Sequence, residues 1–264
     1  MKAGKFGTLV AAIMTLAWTG GEAVAAQCGS TSAGYETWKQ SFAEEAKARG
    51  VGPTAISALM GAHYNQPTIN ADRGMKSFHL SLDQFLAKRG GSIIAARGRK
   101  LKQSNAGLFA EIEQRYGVPP GPLIAIWGME TGFGSVMGNQ NMISAVSTLA
   151  YDCRRPELFN DQLYAALKLI DRGEFSAGTR SSMHGEVGQT QFMPKTVLEY
   201  GVGNLDSSSG ALMSTANYLK AHGWQRGAGY QPGEPNFAAI QAWNAASVYQ
   251  QAIALIGAKI DSGN

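Results

Sequence analysis

Few residues in this chain are placed to do chemistry, and the strongest is a lone carboxylate. Glu130 ends the apolar run Leu123-Ile124-Ala125-Ile126-Trp127, within Trp127-Gly128-Met129-Glu130-Thr131-Gly132-Phe133-Gly134. Burial raises the pKa of a carboxyl group because the charged form loses hydration, and a raised pKa suits a general acid near neutral pH. Pro119, Pro120 and Pro122 introduce the run. Proline is tolerated in a first helical turn and glycine suits the end. The spacing therefore predicts a helix from about Pro120 to about Thr131, with residues 123, 126, 127 and 130 on one face. The alternative is an exposed glutamate at a helix end, a position the helix dipole disfavours.

A second stretch, Gly185-Glu186-Val187-Gly188-Gln189-Thr190-Gln191-Phe192-Met193-Pro194, is rich in glycine and amides. Its backbone can approach a ligand closely, and its side chains both donate and accept. Other chemistry is missing. His63, His79, His184 and His222 are isolated, and no metal-ligand spacing, nucleophile elbow, phosphate loop or dinucleotide fingerprint is present. His184 and Glu186 form a loop pair that reads more simply as solvated than as catalytic. No cofactor and no metal are expected.

The elements that must position these residues read as helical. Tyr35 to Arg49 carries Trp38, Phe42 and Ala46 at helical spacing, and Pro53 opens a helix through Ile56, Leu59 and Met60. Gly74 to Arg89 holds Phe78, Leu82, Phe85 and Leu86, and Ile93 to Tyr116 reads as one or two helices. Ser144 to Ala150, Pro156 to Gly173, Ser209 to His222 and Ala238 to Ile260 continue the pattern. Alternating strand patterns are few and no internal repeat is visible, so the architecture is mainly α.

With 264 residues, 44% of them hydrophobic, the chain can bury a sizeable core. The net charge of +4 is spread without a dense basic run, so a nucleic-acid arm is not expected, whereas an anionic polymer suits the balance. Lys2 and Lys5, an apolar stretch from Phe6 to Trp18, and Val24-Ala25-Ala26 read as a signal peptide over residues 1–26, cleaved near Ala26. Cys28 and Cys153 are the only cysteines, and in an exported protein they read as one disulfide.

Several of these blocks, in this order, resemble the lytic murein transglycosylases of the membrane-bound B type. They are Asp72-Arg73-Gly74, Gly128-Met129-Glu130-Thr131-Gly132-Phe133-Gly134, Leu149-Ala150-Tyr151-Asp152-Cys153-Arg154-Arg155, Gln189-Thr190-Gln191-Phe192-Met193-Pro194 and Ser214-Thr215-Ala216-Asn217-Tyr218-Leu219, followed by Gly223-Trp224. The likeness spans roughly residues 35–260 and points to a soluble, shortened member.

The resemblance implies a lysozyme-like transglycosylase fold with an N-terminal helical lobe. Residues 27–117 would form that lobe and 118–264 the catalytic core. It implies cleavage between N-acetylmuramic acid and N-acetylglucosamine in peptidoglycan, leaving 1,6-anhydromuramoyl ends, with Glu130 as acid and then base. By the same resemblance Ser182, Gln191, Tyr218, Asn244, Tyr249, Phe133 and Met193 would take substrate-binding positions, with core packing the alternative for Tyr218, Phe133 and Met193. The expected partners are glycan strands and cell-envelope machinery, the expected state is a monomer, and the compartment is the periplasm. The chain departs from the family at Ala246, where the family tends to have serine, at Glu186, which puts a charge beside the amide block, and in two shortened segments. Gly203-Asn204-Leu205-Asp206-Ser207 is too short for the acidic calcium loop of longer members, and Gly227 to Pro235 replaces a longer segment that would extend the cleft. Two other readings keep the fold: a peptidoglycan-binding protein without turnover, and a hydrolytic muramidase with Glu186 as its second carboxylate.

Overall fold

The computed structural model describes residues 27–74 and 80–263. The expected signal peptide lies outside the described residues, as do Phe78 and His79. The described chain is built from α1 (Tyr35–Ala48), α2 (Pro53–Met60), α3 (Gln66–Arg73), α4 (Leu82–Arg89), α5 (Gly91–Ser104), α6 (Ala106–Tyr116), α7 (Pro120–Thr131), α8 (Met142–Tyr151), α9 (Pro156–Asp171), α10 (Pro194–Tyr200), α11 (Ser208–Ala221), α12 (Phe237–Trp243) and α13 (Ser247–Asp261). Two two-residue strands, β1 (Gln140–Asn141) and β2 (Arg180–Ser181), pair antiparallel between them. The fold is mainly α, as the apolar spacing predicts.

Two hydrophobic cores organise the helices. Trp38, Leu59, Ile69, Leu149 and Leu163 bring α1, α2 and α3 against α8 and α9, together with Val187 and Phe192 of the amide-rich loop. Phe85, Ile94, Ile112, Ile124, Leu212, Ile240 and Ile253 join α4 through α7 to α11, α12 and α13. Each core therefore draws on segments far apart in sequence.

Helix α7 begins after Pro119, whose backbone is extended, and ends at Gly132 in the left-handed conformation. All of its residues except Glu130 are buried. Residues 123, 126, 127 and 130 share a face of this helix, and its other faces are enclosed as well, because neighbouring helices surround it. A helix apolar all round belongs in a core. Its first turn is held by Asp261 of α13, whose Oδ1 accepts from the Gly121 amide at 2.9 Å. There α7 and α13 approach closely: a β-carbon on Gly121 would lie 2.4 Å from the Gly257 carbonyl oxygen and 2.4 Å from the Asp261 carboxylate. Gly121→Ala is expected to push the two helices apart and cost about 1–3 kcal/mol, the usual range for overpacking. A thermal melt checks this, and an unchanged midpoint would show that the contact yields without cost.

The early Asp72-Arg73 and the later Asp152-Cys153-Arg154-Arg155 meet in space. Asp72, 3% exposed, pairs with both Arg154 and Arg155, and Arg73 reaches Asp152 at 2.8 Å. Cys28 and Cys153 form a disulfide beside this cluster, and the Gly29 amide donates to the Tyr151 carbonyl at 3.0 Å.

Four features differ from the sequence reading. The expected single helix from Ala238 to Ile260 is two, broken at Asn244, which is extended (φ −148°, ψ 134°). Its side-chain oxygen accepts from the Ala246 amide at 2.9 Å, a local turn that competes with helix. Helices α3 and α10 were not anticipated; Asn65 caps the first and Pro194 opens the second. Among the described residues the helix expected from Gly74 starts only at Leu82, where Ser81 and Gln84 form a capping box.

Candidate active site

Glu130 sits in the last turn of α7 and presents its carboxylate to a cavity of about 170 Å³. Glu186, Gln191, Phe192, Met193, Thr196, Tyr218, Trp243 and Asn244 complete the lining. Two larger hollows, of about 520 and 400 Å³, open elsewhere on the surface. Neither contains Glu130, so chemistry and not size marks the site.

The carboxylate is held by two donors. The Tyr249 hydroxyl donates to Oε1 at 2.5 Å, and the Trp243 indole N–H donates to the same oxygen at 3.4 Å. Desolvation pushes the Glu130 pKa up to about 7, and the negative charge of Glu186 adds to that rise. The Tyr249 and Trp243 hydrogen bonds and the positive charge of Arg89 oppose it. Burial, and after it the neighbouring Glu130 charge, push the Tyr249 phenol well above its usual value, so Tyr249 keeps its proton as a donor. The arrangement supplies one carboxylic acid that is protonated near neutrality and able to give that proton to a ligand in the cavity.

The amide-rich loop forms the facing wall. Val187 and Phe192 exchange backbone hydrogen bonds of 2.8 and 2.9 Å, which closes the loop between them. Gln191 adopts a left-handed backbone, φ 56°, and Phe133 another, φ 64°. Such conformations are costly for residues other than glycine and persist where the surroundings fix them. The Gln191 amide donates to the carbonyls of Gly188 at 2.8 Å and Met137 at 3.5 Å. Its own oxygen is therefore the atom left for a ligand.

Of the residues expected to bind substrate, Gln191, Met193, Tyr218 and Asn244 line the cavity with Glu130. Tyr249 stands behind Glu130. Ser182 reaches the site through Glu186, donating to its Oε2 at 2.8 Å, and is not itself among the lining residues. Phe133 is not brought there: its ring packs edge-on against Trp127 at 5.3 Å, with the Arg97 guanidinium 4.7 Å from its centre. The left-handed backbone at Gly132 and Phe133 leaves the ring partly buried against the second core. Tyr218 donates its hydroxyl to the Ala242 carbonyl at 2.7 Å and stacks on His222.

Sequence reasoning missed three contributors. Trp243 read as one more helical apolar position, and nothing in its spacing distinguishes an indole that points at a carboxylate. Thr196 carried no signal at all. Gln189 ties the site together: its Oε1 accepts from Trp127 at 2.8 Å and its carbonyl from Thr131 at 2.6 Å, fixing the end of α7 to the loop.

Known proteins share both sequence and fold. The family model described as Transglycosylase SLT domain matches residues 34–233. Over 139 residues the chain is 37% identical to the Membrane-bound lytic murein transglycosylase B of Escherichia coli (strain K12), a stretch that is 47% of this chain and 38% of that relative's own length. SltB3 from Pseudomonas aeruginosa, solved in complex with NAG-anhNAM-pentapeptide, superposes with a TM-score of 0.79 at 28% identity, covering 86% of this chain and 79% of that one. The Escherichia coli lytic transglycosylase Slt35 in complex with bulgecin A gives a TM-score of 0.76 at 22% identity, covering 92% and 98%, a likeness of fold. The expected lysozyme-like transglycosylase fold is the fold observed.

Proposed function

The chain belongs to the family of the transglycosylase SLT domain, and from that premise we propose that it is a lytic transglycosylase of peptidoglycan with Glu130 as its catalytic acid and base. The observation that carries this reading is the geometry of Glu130: the one residue of a buried helix open to a cavity, held by Tyr249 and kept protonated by desolvation. The solved relative SltB3 holds a NAG-anhNAM-pentapeptide, which supports murein glycan as the substrate class.

In this reading Glu130 gives its proton to the glycosidic oxygen as the bond from the N-acetylmuramic acid C1 breaks. The resulting carboxylate then takes the proton of that sugar's C6 hydroxyl, whose oxygen bonds to C1. Glu130 ends the cycle protonated, no water is consumed, and a 1,6-anhydro end is left. Ordinary glycosidases divide these roles between two carboxylates. The Gln191 oxygen, the Asn244 amide and the faces of Tyr218 and Met193 bind the strand, and Tyr249 orients the acid. The disulfide suits an exported protein acting in an oxidising periplasm.

Incubation of the purified protein with sacculi, followed by mass spectrometry of the released muropeptides, tests the proposal. Anhydro ends are expected. Reducing ends would overturn it in favour of hydrolysis, with Glu186, which lines the same cavity, as the base for water. Because the starting acid must be protonated, turnover is expected to fall as pH rises through about 7. Tyr249→Phe removes a hydrogen bond that favours the charged form of Glu130, so the alkaline limb should move to higher pH. The maximal rate should also fall by about tenfold, the worth of one charge-assisted hydrogen bond. A limb that moves to lower pH would show that Tyr249 does not act on the acid in this way.

A further inference from the structure

Glu186 has no duty in the mechanism above, yet it is held with care. The Ser182 hydroxyl oxygen accepts from the His184 amide at 3.1 Å and the Glu186 amide at 3.2 Å, which directs its proton to Glu186 Oε2 at 2.8 Å. The turn is closed by the Ser182 amide donating to the Glu186 carbonyl at 2.8 Å. Glu186 forms no ion pair among the described residues, and no Lys, Arg or His lines the cavity. Its other oxygen is left for a ligand.

The rest of the lining also offers acceptors. Both amide protons of Gln191 are committed to backbone carbonyls, and the Tyr218 proton is committed to Ala242. Asn244 keeps its amide donors because its oxygen is taken by Ala246. A ligand that satisfies Glu186 and Gln191 must carry donors, while the Asn244 amide takes an acceptor, and a part-buried carboxylate without an ion pair favours a cationic donor.

We propose that Glu186 is a specificity-determining residue that selects strands containing de-N-acetylated glucosamine, whose C2 ammonium it binds. The inference rests on the proposed function for its substrate class. Glu186 is the cavity carboxylate that the proposed acid–base cycle leaves unused. The net charge of +4 repels a cationic strand as a whole, so any preference for one must arise locally.

Isothermal titration of the purified protein with β-1,4-linked tetramers of glucosamine and of N-acetylglucosamine, at about pH 6 where an alkyl amine is protonated, provides the test. The wild type should bind the glucosamine tetramer about tenfold more tightly, the effect of one charge-assisted hydrogen bond. Glu186→Gln, whose amide oxygen still accepts from Ser182, should reduce that ratio towards one, and Glu186→Ala should do the same with different packing. Glu199→Gln removes an exposed anion outside the cavity and should leave the ratio intact. A wild-type ratio of one or less overturns the proposal whether or not the variants fold. So does a tenfold ratio that survives both Glu186 substitutions. Binding is read without turnover, so absence of anhydro ends from sacculi would defeat the proposed function separately, while anhydro ends with a ratio of one would remove only this preference.

Discussion

Glu130→Gln is expected to abolish the release of anhydro-muropeptides, lowering turnover by about 10²–10⁴-fold, the range for loss of a positioned general acid or base. The amide cannot give up a proton to the leaving oxygen, nor take one from the C6 hydroxyl, so both halves of the cycle fail together. Among the described residues no other carboxylate accepts from the same donors: Tyr249 and Trp243 both point at Glu130 Oε1. The glutamine oxygen can still accept from them, so the fold should hold and the thermal midpoint should not drop. That separates a chemical loss from a structural one. A variant retaining a tenth of the wild-type rate would remove Glu130 from the mechanism. Reading kcat and KM separately adds a check, because strand binding through Gln191, Met193 and Tyr218 should survive and KM should change little.

The second large effect concerns stability. Cys28 and Cys153 are linked across a sequence separation of 125. Closing a loop of that length restricts the unfolded chain by nominally about 4–5 kcal/mol, and measured values are often smaller. The double substitution Cys28→Ser with Cys153→Ser should therefore lower the thermal midpoint by about 10 °C, at the 2–4 °C per kcal/mol expected for a domain of this size. The loss should appear equally in wild-type protein unfolded under reducing conditions. The anchoring contacts nearby, Asp72 with Arg154 and Arg155 and Arg73 with Asp152, join the same two segments and should hold part of the structure once the covalent link is gone. If the midpoint does not move, those ion pairs and the adjoining core already fix the N-terminal segment, and the cross-link adds nothing to global stability.

Helix α7 shows how far local sequence reaches. Its prolines and Gly132 marked its ends, and both ends fall where the sequence placed them, because capping and φ constraints act within a few residues. The same spacing said nothing of its other faces, since enclosure on every side depends on α13, α5 and α11 packing around it. The break at Asn244 was hidden for a related reason. Apolar positions on both sides keep helical spacing, and one side chain bonding to Ala246 decides the register between them.

The sequence by itself determined a mainly helical chain, a single carboxylic acid at the end of an apolar helix, a cysteine pair and an ordered set of blocks that belong to one family. These are properties of residue type and short-range spacing, which backbone geometry and burial translate directly. The tertiary structure alone decided which polar atoms meet. It set Trp243 and Tyr249 on Glu130, placed Glu186 in the same cavity under the hydroxyl of Ser182, and packed Phe133 against Trp127. Those outcomes depend on how helices remote in sequence pack and on two left-handed residues in loops. Proton affinity and hydrogen-bond direction vary over ångström distances that no one-dimensional pattern encodes.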